Sequence, residues 1–161
     1  ERQFAAGVES VQIFDSWAGV LPQTEFERWC LKPILAIVEG LKLRVPHARI
    51  IAFPRGVGSH LEAFTSHPGI NALSLDTSAD LNWVSREIQT KKTVQGNLDP
   101  FALISGGRAL DESVDRIKKA FDGKPYIFNL GHGVMPETDP TVLERVVELV
   151  HTEGRCDGVA Q

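Results

Sequence analysis

The sequence predicts an α/β fold with a parallel β-sheet, because short apolar strands alternate with helical patterns along the chain. Five runs rich in β-branched, aromatic or leucine residues have the length of strands, and a segment with helical periodicity follows each run. No hairpin signal joins two neighbouring runs. We therefore expect parallel pairing through right-handed crossover connections.

The predicted strands are short and bounded by glycine, proline or polar residues. They comprise residues 11–14, 49–53, 72–75, 93–95 and 126–130. The first helix is predicted over residues 24–41, since Thr24 and Glu25 form a capped start, and Pro33 inside this pattern predicts a kink. Later helices are predicted at residues 59–64, 80–88, 111–121 and 140–152, with Asp80 and Asp111 as N-caps.

Two architectures fit this order of elements. About five βα units in roughly 160 residues match a flavodoxin-like doubly wound domain, whereas the same units also occur within a (β/α)8 barrel of roughly 250 residues. Size alone favours the first architecture. However, residues 1–7 resemble the last turn of a helix with Gly7 as its C-cap, so we expect the sequence to begin partway through a larger fold.

Composition limits the class of protein. With 161 residues, of which 42% are hydrophobic, the chain predicts one domain over residues 1–161, with a candidate flexible tail at residues 154–161. The net charge of -4 argues against a nucleic-acid partner. Cys30 and Cys156 show no disulfide or zinc pattern, and no apolar stretch is long enough to span a bilayer. We expect a soluble cytoplasmic protein.

The histidine at position 132 is the strongest functional candidate. The last predicted strand stops at Gly131, His132 and Gly133, and the two glycines are expected to allow a sharp bend and to leave the imidazole uncrowded. Residues at the carboxyl ends of parallel strands line the ligand sites of α/β proteins. A lone histidine in such a loop is, by itself, more often a surface or packing residue.

Three segments in order resemble the uroporphyrinogen decarboxylase family: VQIFDSWAG at residues 11–19, QGNLDP at residues 95–100, and NLGHG at residues 129–133, with Pro136, Asp139 and Pro140 beyond. The resemblance extends from Glu1 to about Gly154. An arginine-rich segment, an aspartate that grips the pyrrole nitrogens and a tyrosine near the substrate are further features of the family, and none has a counterpart here. The chain thus resembles the carboxyl-terminal half of a barrel enzyme.

The resemblance implies a (β/α)8 TIM barrel, of which this chain supplies about five βα units, and it reverses the preference based on size. It also implies a homodimer, a tetrapyrrole substrate and a reaction without metal or organic cofactor. In this family, the four acetate side chains of uroporphyrinogen III lose carbon dioxide and become methyl groups, which gives coproporphyrinogen III.

Three residues match functional positions of the family. His132 matches the histidine of the glycine-flanked turn, which contacts the substrate. Ser16 matches a serine or threonine that hydrogen-bonds a substrate carboxylate, and Phe14 matches an apolar residue that packs on the tetrapyrrole. Without the resemblance, Ser16 is more simply a turn residue and Phe14 a core residue. Since side chains alternate along a strand, Phe14 and Ser16 are expected to face the same side.

Other polar residues have structural interpretations that we prefer. Asp15, Asp76 and Asp99 at strand ends suggest a metal or acid/base cluster, but capping of loops and helices explains them more simply. Arg55 is assigned to helix support or a subunit contact. The remaining histidines show no paired ligand spacing and are predicted to be surface residues: His47, His60, His67 and His151.

Two other functions remain open at this stage. Zinc-dependent methyltransferases of the same fold carry a His-x-Cys motif and a further cysteine, whereas Gly133 and Val134 follow His132 here. A flavodoxin-like binding module requires a phosphate-binding turn after the first strand, and residues 15–19 only approximate one. Both are therefore less favoured than the decarboxylase.

Overall fold

The structure is a computed structural model that describes residues 1–151. The candidate tail at residues 154–161 and the predicted end of the last helix at Thr152 lie outside the described residues. Within residues 1–151, no helix combines the length and the hydropathy that a bilayer crossing requires.

Five strands form one sheet in the order β1-β2-β3-β4-β5, and every neighbouring pair is parallel. Their bounds are β1 (Ser10–Asp15), β2 (Arg49–Pro54), β3 (Ala72–Leu75), β4 (Thr93–Gly96) and β5 (Tyr126–Ile127). The five predicted strands are thus confirmed, although β5 is shorter than predicted. Beyond a break after β5, a single parallel bridge between Leu98 and Leu130 resumes the pairing.

The sequential order and the curvature of the sheet are those of a barrel segment. A doubly wound domain reverses its strand order at a switch point, and this sheet has no reversal. The side-chain amide of Gln95 on β4 donates to Oε1 of Gln12 on β1 at 2.8 Å. On a flat sheet these strands would lie about 14 Å apart, at about 4.8 Å per strand. The sheet is therefore curved, with Gln12 and Gln95 on its concave face, as in part of a (β/α)8 barrel.

Helical segments connect the strands. They are α1 (Arg2–Ala5), a 3-10 turn (Ala18–Val20), α2 (Gln23–Phe26), a π-helical turn (Glu27–Leu31), α3 (Lys32–Arg44), a 3-10 helix (Gly58–Phe64), α4 (Leu81–Trp83), a second π-helical turn (Val84–Ile88), α5 (Pro100–Ser105), α6 (Gly107–Phe121) and α7 (Pro140–His151). Since the strand order is sequential, right-handed crossovers place the helices on one face of the sheet.

The long helix after β1 contains Pro33 without ending there. A π-helical turn over Glu27–Leu31 immediately precedes α3, in which Pro33 is the second residue. Proline donates no backbone hydrogen bond and its ring crowds the carbonyl four residues earlier, so a wider turn at this point accommodates it. The sequence located the irregularity but did not predict its form.

Several helix boundaries differ from the predictions. Asp111 does not cap a helix, because α6 begins four residues earlier at Gly107, and its carboxylate instead binds Arg145 of α7 at 3.0 Å. The predicted helix at residues 59–64 is a 3-10 helix, and α5 was not predicted. Asp80 caps α4 as predicted, since its carboxylate accepts a hydrogen bond from the Trp83 amide at 2.6 Å.

The first residues form a helix end, as predicted. Gly7 adopts φ 98, and its amide donates to the Phe4 carbonyl, while the amide of Val8 donates to the Gln3 carbonyl. This pair of bonds is a Schellman motif, which favours glycine at the left-handed position.

The apolar core lies between the convex face of the sheet and the helices. It includes alternate strand residues and one stripe of α6: Ile50, Ala52, Leu73, Leu75, Val94, Leu110, Val114, Ile117 and Phe121. Burial of each such aliphatic or aromatic side chain contributes about 1.5–3 kcal/mol. The intervening strand residues face the concave side, where the candidate site lies.

Candidate functional site

The concave face carries a group of hydrogen-bonded polar side chains, which we call the polar floor: the half-buried Gln12 and the buried Ser74 and Gln95. The amide of Gln95 donates to Gln12 Oε1 at 2.8 Å and to Ser74 Oγ at 3.2 Å. Sequence reasoning missed these residues. The available signal was the presence of polar residues at alternate positions inside three apolar strands.

Phe14 lies at the rim of this face, at the carboxyl end of β1. Its ring meets the ring of Phe53 on β2 edge to face, with centroids 5.8 Å apart, and the residue is 65% exposed. A large aromatic side chain with this exposure is free to pack against a ligand. Phe14 is thus not a buried core residue.

Ser16 follows β1 directly and is exposed. It lies in a turn that the preceding Asp15 organises, since the Asp15 carboxylate accepts a hydrogen bond from the Trp17 amide at 3.3 Å. Burial raises the pKa of the Cys30 thiol, and a hydrogen bond to Asp15 and the charge of that carboxylate raise it further. Cys30 therefore stays protonated and supports Asp15 from the helical segment behind the turn.

The loops after β1 and β2 are joined through their main chains. The Arg55 amide donates to the Asp15 carbonyl at 2.9 Å, and the Gly19 amide donates to the Arg55 carbonyl at 2.9 Å. A Cβ atom on Gly19 would lie 2.4 Å from the carbonyl oxygen of Gly56, so only glycine fits there. This contact fixes the loop that carries Ser16 against its neighbour.

The aspartates at the strand ends stabilise loops and helix starts, as predicted. Asp76 accepts hydrogen bonds from the Gly56 amide at 2.7 Å and the Ser78 amide at 2.8 Å. Asp99 caps α5 by accepting from the Phe101 amide at 2.9 Å. Among residues 1–151, no group of three histidine, cysteine, aspartate or glutamate residues could hold a metal ion.

His132 is exposed and lies in the turn after β5. The turn is attached to the chain after β4, because Leu98 donates to the Asn129 carbonyl at 3.2 Å and Gly131 donates to the Leu98 carbonyl at 2.8 Å. Gly131 also packs against the loop after β3. A Cβ atom on residue 131 would lie 2.6 Å from the Thr77 nitrogen.

The role of the two flanking glycines differs from the expectation. Neither Gly131 nor Gly133 has a positive φ, so neither is required for a left-handed bend. Gly131 is required for close approach to Thr77, whereas a Cβ on Gly133 would meet nothing within 4 Å. The uncrowded imidazole is consistent with the exposure of His132.

The three predicted site residues all lie at the carboxyl ends of strands, but they do not touch each other. Phe14 and Ser16 lie at β1, and His132 lies beyond β5 at the other side of the curved sheet. Among the described residues, no hydrogen bond or ring contact joins His132 to Phe14 or Ser16.

The other histidines are not all surface residues. His60 stacks on the buried Phe26 ring with centroids 4.9 Å apart, and the ring nitrogen Nδ1 of His67 accepts a hydrogen bond from the Gly69 amide at 3.1 Å. Both are partly buried, which corrects the prediction for these two residues, whereas His47 and His151 are exposed as predicted. The packing role of His60 and His67 carries no sign of ligand binding.

Comparison with known proteins shows the relationships of the chain. The family model described as "Uroporphyrinogen decarboxylase (URO-D)" matches residues 1–153. The chain belongs to the uroporphyrinogen decarboxylase family. This membership confirms the resemblance drawn from the three motifs and the barrel architecture of the sheet.

Three curated uroporphyrinogen decarboxylases illustrate the similarity. The relative from Sphingopyxis alaskensis is 44% identical over 148 residues, and the one from Rhizorhabdus wittichii is 46% identical over 149 residues; each comparison covers 92% of this chain. The relative from Chelativorans is 46% identical over 154 residues, or 96% of this chain. The chain spans only 43–44% of the length of these relatives.

Proposed function

We propose that this chain supplies the carboxyl-terminal part of a uroporphyrinogen decarboxylase barrel. The complete barrel removes carbon dioxide from the four acetate side chains of uroporphyrinogen III and gives coproporphyrinogen III. The observation that carries the proposal is the family match over residues 1–153, and the concave, partly polar face with exposed candidate residues at its rim supports it.

The chemistry follows from the substrate. An acetate on an electron-rich pyrrole is a poor source of a carbanion, so a ring carbon is first protonated and the ring becomes an electron sink. Carbon dioxide leaves with its bonding electrons retained by the ring system. The resulting exocyclic methylene then takes up a proton and becomes a methyl group, while the ring carbon releases the proton that it gained at the start and the pyrrole is restored. Each step exchanges carbon dioxide for one proton, and no external oxidant or reductant is needed. We accordingly propose a reaction without metal or organic cofactor.

The described residues can take three roles in this chemistry. Phe14 offers an exposed ring to the face of the macrocycle, and the Ser16 hydroxyl donates a hydrogen bond to a substrate carboxylate. His132 contacts the substrate from the opposite side of the concave face. A group at that position stabilises charge during decarboxylation, either as a hydrogen-bond donor or as a source of the proton.

The same family membership leads us to propose a homodimer located in the cytoplasm. Gel filtration with light scattering on an active enzyme that contains these residues tests the oligomeric state. A stable monomer with full activity would rule out the dimer as a functional requirement.

A chimera tests the proposed function. In it, the chain replaces the matching segment of the Sphingopyxis alaskensis relative; we refer to this protein as the chimera. Conversion of uroporphyrinogen to coproporphyrinogen is measured without oxygen, with products separated as oxidised porphyrins, and the unaltered relative is the control. We expect coproporphyrinogen formation. A folded chimera that yields no decarboxylated product would contradict the proposal.

A further inference from the structure

We infer that Asn97 is a positioning residue for His132, acting through the two loops that hold the Gly131 turn. The inference rests on the role proposed for His132 in the decarboxylase. Asn97 makes no hydrogen bond to His132, and both protons of its side-chain amide are bound by carbonyl groups of the loop after β3. Its effect on His132 is therefore indirect.

The His132 turn rests against two stretches of main chain. On one side, Leu98 pairs with residues 129 and 131 through two hydrogen bonds. On the other, Gly131 packs so closely on the main chain of Asp76 and Thr77 that no β-carbon fits between them. The main chain that leads into His132 therefore keeps its position only if the distance between Leu98 and the main chain of Asp76 and Thr77 does not change.

Asn97 joins these two stretches. It precedes Leu98 in the chain, is 7% exposed, and donates through Nδ2 to the carbonyls of Asp76 and Ala79, each at 3.1 Å. The side-chain amide of Asn97 thus donates both of its hydrogen bonds to the loop against which Gly131 packs. The Asp76 carboxylate holds the same loop from the β2 side through the Gly56 amide.

The substitution Asn97→Asp isolates this effect. It keeps the size of the side chain but replaces two donors by a carboxylate that faces two carbonyl oxygens, and the resulting repulsion separates the loop from Leu98. Misplacement of a reacting group by about 1 Å can cost about 100-fold in rate, so we expect a loss of roughly 10- to 100-fold in kcat/KM, mainly in kcat.

Gln89→Glu is the matched control. Gln89 is 5% exposed and donates from its amide to two carbonyls, those of Phe121 and Pro125, at the amino-terminal edge of the sheet. The same chemical change there removes the same number of donors far from His132. We expect this variant to lose stability but to keep kcat/KM within about threefold.

The test is a double-mutant cycle in the chimera between Asn97→Asp and His132→Ala. If Asn97 acts through His132, Asn97→Asp lowers kcat/KM by less than about threefold once His132 is absent. Independent losses that multiply would overturn the inference while leaving the proposed function intact. Equal loss in the Gln89→Glu control would also overturn it, because the effect would then be general destabilisation.

Amide hydrogen exchange tests the same inference without an activity assay. In a peptide covering residues 129–133, Asn97→Asp is expected to accelerate amide exchange by about tenfold or more, since the bond from Gly131 to Leu98 opens more often. Gln89→Glu leaves this peptide unchanged. If exchange is the same in both variants, Asn97 does not hold the turn, whether or not the chimera is an active decarboxylase.

Discussion

Gly131 approaches Thr77 so closely that a β-carbon at position 131 would stand 2.6 Å from the Thr77 nitrogen. The contact joins the loops after β3 and β5, two strands that are not neighbours in the sheet. It therefore determines where the chain that carries His132 leaves the sheet, and it provides a direct way to displace that residue.

The first prediction compares alanine at the two glycines beside His132. In the chimera, Gly131→Ala is expected to cost about 1–3 kcal/mol in the free energy of unfolding, because the new methyl group overlaps rigid main chain. It is also expected to lower kcat/KM. Gly133→Ala adds a methyl group where nothing lies within 4 Å and changes either quantity little. Urea unfolding and steady-state kinetics give both values. Equal effects at the two positions would argue against the packing role of Gly131.

The second prediction concerns His132→Ala in the chimera. If the imidazole donates one hydrogen bond to a substrate carboxylate, the loss is about 1.5–3 kcal/mol, or roughly 10- to 150-fold in kcat/KM. If it delivers the proton, the chemical step slows by about 10² to 10⁴. A solvent isotope effect on both proteins separates the roles where the ranges overlap. An effect that survives the substitution unchanged would exclude proton donation by His132.

The third prediction concerns Ser16. Ser16→Ala removes a proposed hydrogen bond to one carboxylate, so we expect a loss of about 5- to 10-fold in kcat/KM and a changed distribution of partly decarboxylated porphyrinogens. Ser66→Ala is the control, because Ser66 is exposed and lies in the loop before β3, toward the amino-terminal ends of the strands. The distribution of these intermediates is measured by chromatography of samples taken during turnover. An unaltered distribution would count against contact between Ser16 and the acetates.

The fourth prediction follows from the buried Cys30 thiol. Its pKa is raised above the ordinary value of 9.0, so from about pH 9 upward the unfolded chain loses a proton that the folded chain keeps. The folded state then binds more protons, and the free energy of unfolding falls as the pH rises, by at most about 1.4 kcal/mol per pH unit for this group. Below pH 9 the contribution is fully present.

Urea unfolding of the chimera and of its Cys30→Ala variant between pH 8 and 10.5 provides the test. The variant should show a shallower decline, whatever its stability at pH 8. Tyr126, whose pKa burial also raises, titrates in both proteins and cancels in the comparison. Parallel declines would show that the Cys30 proton is not linked to folding.

The fifth prediction is that residues 1–161 alone form no coproporphyrinogen. In the described part of the chain, neither the outer edge of β1 nor that of β5 pairs with another strand, and the concave face is open between them. Phe14 and Ile127 are correspondingly exposed. The chain is assayed beside the chimera at equal concentration. Product formation by the chain alone would show that this face is sufficient for decarboxylation.

Local sequence signals predicted the strands and one of the helix caps well. The strand of residues 72–75 was predicted with its observed bounds, and Asp80 was recognised as a helix cap, because both depend on neighbouring residues alone. The motif around His132 was visible for the same reason. These are features for which side-chain pattern and backbone preference point to the same structure.

Features that depend on distant residues were not predictable from pattern. Strand order alone decides between a barrel segment and a doubly wound sheet, and order is a tertiary property. Asp111 resembled a cap but binds Arg145, 34 positions away. Likewise, the bonds of Asn97 to the Asp76 loop join separate βα units, so nothing near Asn97 in the sequence reveals them.

The most direct test of the central claim is a crystal structure of the chimera with coproporphyrinogen bound. We predict that the macrocycle lies against the concave face, with the His132 imidazole within hydrogen-bond distance of the tetrapyrrole and the Phe14 ring packed on it. A macrocycle bound elsewhere, with His132 and Phe14 both facing solvent, would contradict the account.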